Sequence, residues 1–381
     1  MTFATLTLVT LLGLLGPLIA LRRTWHLPVV LGELAAGAVF GATGFGVLQA
    51  DDHIFTFLAD IGFALVMFTA GTHVPVRDSA VRSAVGRGLV RAAAVGVIAA
   101  ILGVALSHLF GTGHAALYAV LLASSSAALV LPVIEGLGLS GVRVLELTAQ
   151  VAIADTACIV ALPLVVDPSN AVRAAIGSVA VGIAALAMFF ALRWLENSGV
   201  RERVHHVSEN RKFAVELRIS LVVLFAMAAL ATTTHVSIML AGFAFGLAVA
   251  GVGEPRRVAH QLFAVSDGFF APLFFVWLGA RIDLRELGTH PNQILLGLAL
   301  AAGAILAHAA MRLLGQPVTL GILAASQLGV PVAAVTVGSA LHIFAPGEAA
   351  ALILGAVLTI LSTAIAGAVA ARTTAPATKA V

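Results

Sequence analysis

Asp155 stands in the run AQVAIADTACIVALPLV, with no lysine or arginine within ten residues of it. A carboxylate in apolar surroundings is costly, so it needs a partner or a task. With no local cation to pair it, Asp155 is a candidate site for a proton and for a metal cation, both of which one carboxyl group can hold. The plainer alternative is a protonated acid bonded to a backbone carbonyl. Two further apolar runs carry matching polar interruptions. LLASSSAALVLPVIEGLG places Ser124, Ser125 and Ser126 mid-run, with Pro132 after them. AASQLGVPVAAVTVG brings together Ser326, Gln327, Gly329 and Pro331. Matched interruptions of this kind point to discontinuous helices, and unwound backbone frees carbonyl groups. A hard monovalent cation, Na+ or K+, wants oxygen ligands such as these. Taken singly, each run also reads as a proline kink with serines bonded back to their own helix.

Other ionisable residues are weaker candidates. His308 lies inside AAGAILAHAAMRLLG, where it reads as a structural histidine or as a proton-sensitive group near the site. Asp60, Glu216 and Asp267 fall nearer the ends of apolar runs, and Glu33 sits in VVLGELAAG. Cys158 is the only cysteine, so a disulfide within the chain is excluded and a cysteine-based metal site is unsupported. No HExxH, Walker A or GxSxG pattern occurs, nor a pair of intramembrane aspartates, so no enzyme activity and no cofactor are expected.

The elements that must hold these residues follow from composition. Of 381 residues, 60% are hydrophobic and only 10% charged, against about 25% charged in a soluble domain. A water-facing surface of ordinary polarity cannot be built from that, and neither can a nucleic-acid interface. The excess is aliphatic, with 37 glycines, and small residues suit close helix contact in lipid. Continuous apolar runs of about 20 residues argue for membrane helices rather than a barrel. Thirteen spans are predicted, at 3–21, 28–48, 54–74, 88–110, 114–137, 144–166, 171–194, 213–233, 236–253, 262–283, 291–313, 317–341 and 347–371. With the N-terminus outside, 18 of the 21 basic residues fall on cytoplasmic segments and 3 outside, as the positive-inside rule asks. The polar stretch Glu196–Lys212 reads as a cytoplasmic connector and 372–381 as a short cytoplasmic tail.

Three motif pairs recur in the same order. FTAGTHVPVRD (68–78) pairs with VWLGARIDLRE (276–286), LAAGAVFG (34–41) with LAGFAFGL (240–247), and LASS (122–125) with AASQ (324–327). Their offsets are 202 to 208 residues, and seven spans separate each pair. Seven is odd, so the copies face opposite ways across the membrane, an arrangement typical of secondary transporters. The fold class expected is an all-α polytopic membrane protein of about thirteen helices in two inverted six-helix repeats. The first repeat covers about 1–166, a linker helix 171–194, and the second repeat about 213–371.

These residues carry a family resemblance. HLPVVLGELAAGAVFG (26–41), followed by FLADIGFALVMFTAGTHV (57–74), resembles the opening of the monovalent cation:proton antiporter superfamily, nearest its bacterial Na+/H+ exchangers and potassium-efflux antiporters. The stretches 215–251 and 269–284 resemble its second half, and the resemblance runs from about His26 to Thr363. It implies a dimerisation domain beside a core domain in which broken spans five and twelve cross. It implies Asp155 as the ion-binding acid, with Ser124 and Ser125 at the first helix break, and a homodimer in the bacterial inner membrane. Two departures stand out. Ala154 replaces the polar residue that usually precedes the acid, and the span at 291–313 lacks the lysine of many members, Gly303 falling near that position.

The expected function is exchange of protons for a monovalent cation, Na+ in preference to K+, with Asp155 as shared site. Ser124, Ser125, Ser126 and Gln327 are the expected cation ligands beside it, and Pro132, Gly329 and Pro331 the helix breakers. With one titrating carboxyl, exchange should be electroneutral. A regulatory membrane protein that kept the fold without transport, or an organic-ion transporter, are the alternatives.

Overall fold

The computed structural model describes residues 1–21, 29–74, 76–77, 79–198, 215–234, 236–253, 262–282 and 284–374. All secondary structure among them is helical. The connector beyond Ser198, the tail beyond Thr374, and with them Arg22, Arg23, Arg201, Arg203, Arg211, Lys212, Arg256, Arg257 and Lys379, lie outside the described residues.

The first half contains α1 (Phe3–Gly13), α2 (Leu15–Ala20), α3 (Val29–Phe40), α4 (His53–Thr72), α5 (Ser79–Phe110), α6 (Ala115–Ala123), α7 (Ala127–Gly136) and α8 (Val142–Val166). The helix α9 (Ala171–Asn197) follows. The second half contains α10 (Val215–Thr233), α11 (Ile238–Val252), a π turn (Ser266–Phe270), α12 (Ala271–Arg281), α13 (Leu284–Thr289), α14 (Pro291–Ala309), α15 (Val318–Ala324), α16 (Gly329–Ala340) and α17 (Glu348–Thr374). Among the described residues, eleven helical segments are long and apolar enough to cross a membrane. The helices α3 and α11 are apolar but shorter.

The sequence-based boundaries shift where local chemistry overrides hydropathy. The span expected at 28–48 stops being helical at Phe40. The sequence GATGFG follows it, and Gly46 takes a φ of +67°, which glycine adopts without strain. Helix α5 begins at Ser79, well before the expected residue 88, because Ala and Arg in this charged stretch are good helix formers. Arg91, on this helix, is buried.

Two helix pairs pack crosswise. α3 lies on α12 and α4 lies on α11. At the first contact Gly37 faces Gly279 and Ala280, and Gly279 faces the Leu34 carbonyl and Ala38. At the second, Gly71 faces Gly246 and the Phe243 carbonyl. A Cβ at any of these positions would strike a neighbouring backbone, so glycine is what permits the close approach. The motifs that recur in sequence are thus the ones that meet in space. Elsewhere α5 packs on α6 and α8, and α14 on α17. A second buried cluster joins α7, α8, α15 and α17 through Val130, Leu147, Leu323 and Ala366. The face of α9 carrying Val172, Ile176, Val179, Ile183 and Phe190 is exposed, as a lipid-facing stripe would be.

Candidate functional site

Two interruptions lie where the polar runs were noted. α6 ends at Ala123, Ser124 and Ser126 take extended backbone angles, and α7 starts at Ala127. α15 ends at Ala324, and α16 starts at Gly329 after Leu328, whose φ and ψ of −142° and −68° are not helical. Gly329 and Pro331 open the first turn of α16, where a proline is tolerated. Pro132 does not mark a break; it lies inside α7, six residues into the helix. The interruption precedes it because three consecutive serines compete with the helix for backbone groups.

Each break is tied to the other. Ser125 Oγ donates to the Ala324 carbonyl at 2.6 Å, the last residue of α15. Gln327 Nε2 donates to the Leu121 carbonyl at 2.6 Å, in the last turn of α6. Ser124 Oγ donates to the same Leu121 carbonyl at 2.8 Å. Helix C-terminal carbonyls have no partner within the helix, and here side chains from the opposite break supply one.

Asp155, on α8, is 6% exposed. Its Oδ2 accepts the Ala127 N–H at 2.9 Å, at the start of α7. The carboxylate therefore sits at a helix N-terminus, where the helix dipole favours negative charge. Among the described residues no cation pairs with it. One backbone donor leaves most of its acceptor positions free for a proton or a metal ion. Ser124, Ser125 and Ser126 are all buried beside Ala127, as is Gln327 in the opposite break.

His308 is fully buried on α14. Its Nδ1 bonds to the Ala304 carbonyl at 3.0 Å, and its Nε2 lies 3.4 Å from Ser125 Oγ. The histidine therefore touches the first break without touching Asp155. Glu33, Asp60, Asp267 and Glu216 sit on α3, α4, the π turn and α10, none of which forms either break. A cleft of about 740 Å³ runs along α8 past Ala152, Ile153 and Thr156, with Val74 and Leu247 on its far wall. Its lining is apolar apart from Thr156.

The sequence reading missed three groups. Thr359 on α17 accepts the Gln327 N–H at 3.2 Å and is fully buried. Its distance from Asp155, 204 residues, falls within the repeat offsets and was the signal available. Glu146 is buried between Arg91 and Arg87, 2.8 Å from each. Glu348 is buried at the start of α17, where it accepts from Tyr118 Oη and bonds His114 Nδ1, each at 2.6 Å.

Comparison with known proteins places this arrangement. The fold matches that of the sodium proton antiporter MjNhaP1 from Methanocaldococcus jannaschii at pH 8, with a TM-score of 0.67 and 17% identity over 96% of both chains. The molecule is thus an all-helical, multi-pass membrane protein of antiporter fold. Residues 7–369 match the family described as sodium/hydrogen exchanger, transmembrane, and the chain belongs to that family. The Na(+)/H(+) antiporter NhaS5 of Synechocystis sp. is 27% identical over 324 residues, which is 82% of this chain and 44% of NhaS5. The probable Na(+)/H(+) antiporter 3 of Methanocaldococcus jannaschii is 25% identical over 314 residues, 77% of each chain. The chain therefore spans less than half the length of NhaS5.

Proposed function

We propose that this protein exchanges protons for a monovalent cation, Na+ in preference to K+, through Asp155. The observation that carries the reading is a buried carboxylate without a cation partner among the described residues, set at the N-terminus of α7 beside two helix breaks that hold each other. An ionised carboxylate in that position needs a compensating charge. A proton or a metal cation supplies it, and each excludes the other. Competition for one group couples the two flows. Alternating exposure of the loaded site to the two sides then moves one ion in exchange for the other.

The cation ligands in this reading are the Asp155 carboxylate, the hydroxyls of Ser124, Ser125 and Ser126, and the Gln327 side-chain oxygen. Ala154 beside the acid cannot titrate and the span containing Gly303 has no lysine, so exchange is electroneutral. The crosswise contacts of α3 on α12 and α4 on α11 support two inverted repeats joined by α9. The protein works as a homodimer in the bacterial inner membrane, N-terminus outside and C-terminus in the cytoplasm, and performs no enzymatic reaction.

The test is flux in proteoliposomes under an imposed pH gradient, with Na+, K+ and Li+ offered separately. Na+-dependent collapse of the gradient supports the reading. No flux with any ion would favour a regulatory protein on this fold, and flux only with an organic cation would favour that substrate class.

A further inference from the structure

Thr359 and Asp155 do the same structural task in opposite halves of the core. Asp155 reaches from α8 to accept the Ala127 N–H just after the first break, at 2.9 Å. Thr359 reaches from α17 to accept the Gln327 N–H inside the second break, at 3.2 Å. The two acceptors are 204 residues apart, and Ser125 and Gln327, which cap each other's half-helices, are 202 apart. Both offsets match those of the recurring motifs. Both acceptors are buried, and both stand on the helix that follows their own broken pair.

We propose that Thr359 is the uncharged counterpart of Asp155 and a positioning residue for the cation site. The inference rests on the reading of Asp155 given above. The difference between the two side chains sets their roles. Thr359 Oγ1 accepts from Gln327 and donates to the Ala356 carbonyl at 2.7 Å, so its hydroxyl is satisfied both ways. It needs no counter-charge, and the second break stays in one state through the cycle. Asp155 has one donor and a charge to compensate, so the first break loads and unloads. Thr359 also fixes where Gln327 starts. The Gln327 side chain then crosses to the Leu121 carbonyl, at the lip of the first break. Losing the Thr359 hydroxyl leaves a buried N–H without a partner and lets Gln327 move away from the site.

The experiment compares Thr359→Val, Thr359→Ser and Asp155→Asn with the parent protein in proteoliposomes. Na+-dependent proton flux is measured against Na+ concentration. Thr359→Val, which keeps the shape, should raise KM for Na+ about ten-fold. Its maximal rate at saturating Na+ and its pH profile there should stay close to the parent's. Thr359→Ser, which keeps the hydroxyl, should restore the parent KM. If Thr359→Val does not insert, Thr359→Ala takes its place, judged by the same KM. An unchanged KM in the measured variant, or a maximal rate that falls with KM untouched, overturns the proposal. Failure of Thr359→Ser to restore KM also overturns it, since shape and not the hydroxyl would then matter. Asp155→Asn separates this from the parent reading. Coupled flux surviving in Asp155→Asn defeats the Asp155 assignment, whereas loss there with a normal Thr359→Val defeats the Thr359 inference alone.

Discussion

Ser125 and Gln327, 202 residues apart in sequence, each cap the half-helix that leads into the other's break. Ser125 Oγ meets the Ala324 carbonyl and Gln327 Nε2 meets the Leu121 carbonyl, both at 2.6 Å. The exchange of caps makes the two interrupted helices one mechanical unit. It also leaves both C-terminal carbonyls with a donor in a region where water is scarce.

Removing these caps should have unequal effects. Ser124→Ala leaves the Leu121 carbonyl with Gln327 as donor, so little stability is lost. Ser125→Ala strips Ala324 of its side-chain donor and should destabilise the protein by about 1–3 kcal/mol. Thermal unfolding of detergent-solubilised variants measures both. Equal losses in the two would contradict the cross-capping account.

The ion cluster of Arg87, Arg91 and Glu146 gives a second asymmetry. Arg91 and Glu146 are both buried, their side chains 3% and 4% exposed, while the Arg87 side chain is 76% exposed. Arg91→Ala leaves a buried carboxylate with only a solvent-screened partner and should cost about 3–5 kcal/mol. Arg87→Ala should change stability little, because an exposed pair is screened. Unfolding midpoints for the two variants decide it, and a larger loss at Arg87 would be inconsistent with the geometry.

Competition for one carboxylate fixes the sign of the pH dependence. Protons occupy Asp155 more as pH falls, so the apparent KM for Na+ should rise toward acid, by about ten-fold per pH unit on the acid limb. The rate at saturating Na+ should vary far less. Initial rates over a grid of Na+ concentration and pH test this. A KM for Na+ that stays flat across the acid range would argue for separate proton and cation sites.

Electroneutrality follows from a single titrating group. With the potential clamped by valinomycin and K+, and no pH gradient, no net Na+ uptake should appear in proteoliposomes. Only His308 challenges this, since its Nε2 lies near Ser125 Oγ in the first break. Potential-driven uptake that vanishes in His308→Ala would show that the imidazole carries a second proton.

The parts of the site legible in sequence were those that break a strong pattern. An aspartate in an apolar run and polar triplets in two others stand out because lipid-facing helices exclude them. Proline misled where it acts as punctuation, since Pro132 lies within a helix that the serines had already interrupted. Thr359 was hidden because a threonine in a membrane helix can satisfy its hydroxyl on its own backbone, and only its position in the second repeat singles it out. Arg91 and Glu146 were hidden because charges near a span end read as solvated ends. The short helix α3 was overestimated because a glycine-rich turn continues the apolar run without continuing the helix.

The central claim is that Asp155 alone holds the proton and the cation in turn. Asp155→Asn keeps the shape and can no longer ionise, while the Ala127 N–H retains an amide oxygen to bond. Na+-dependent proton flux in proteoliposomes containing this variant is the direct measurement. The account predicts that coupled exchange is lost while the protein still inserts and unfolds as cooperatively as its parent. Coupled flux close to that of the parent would contradict it.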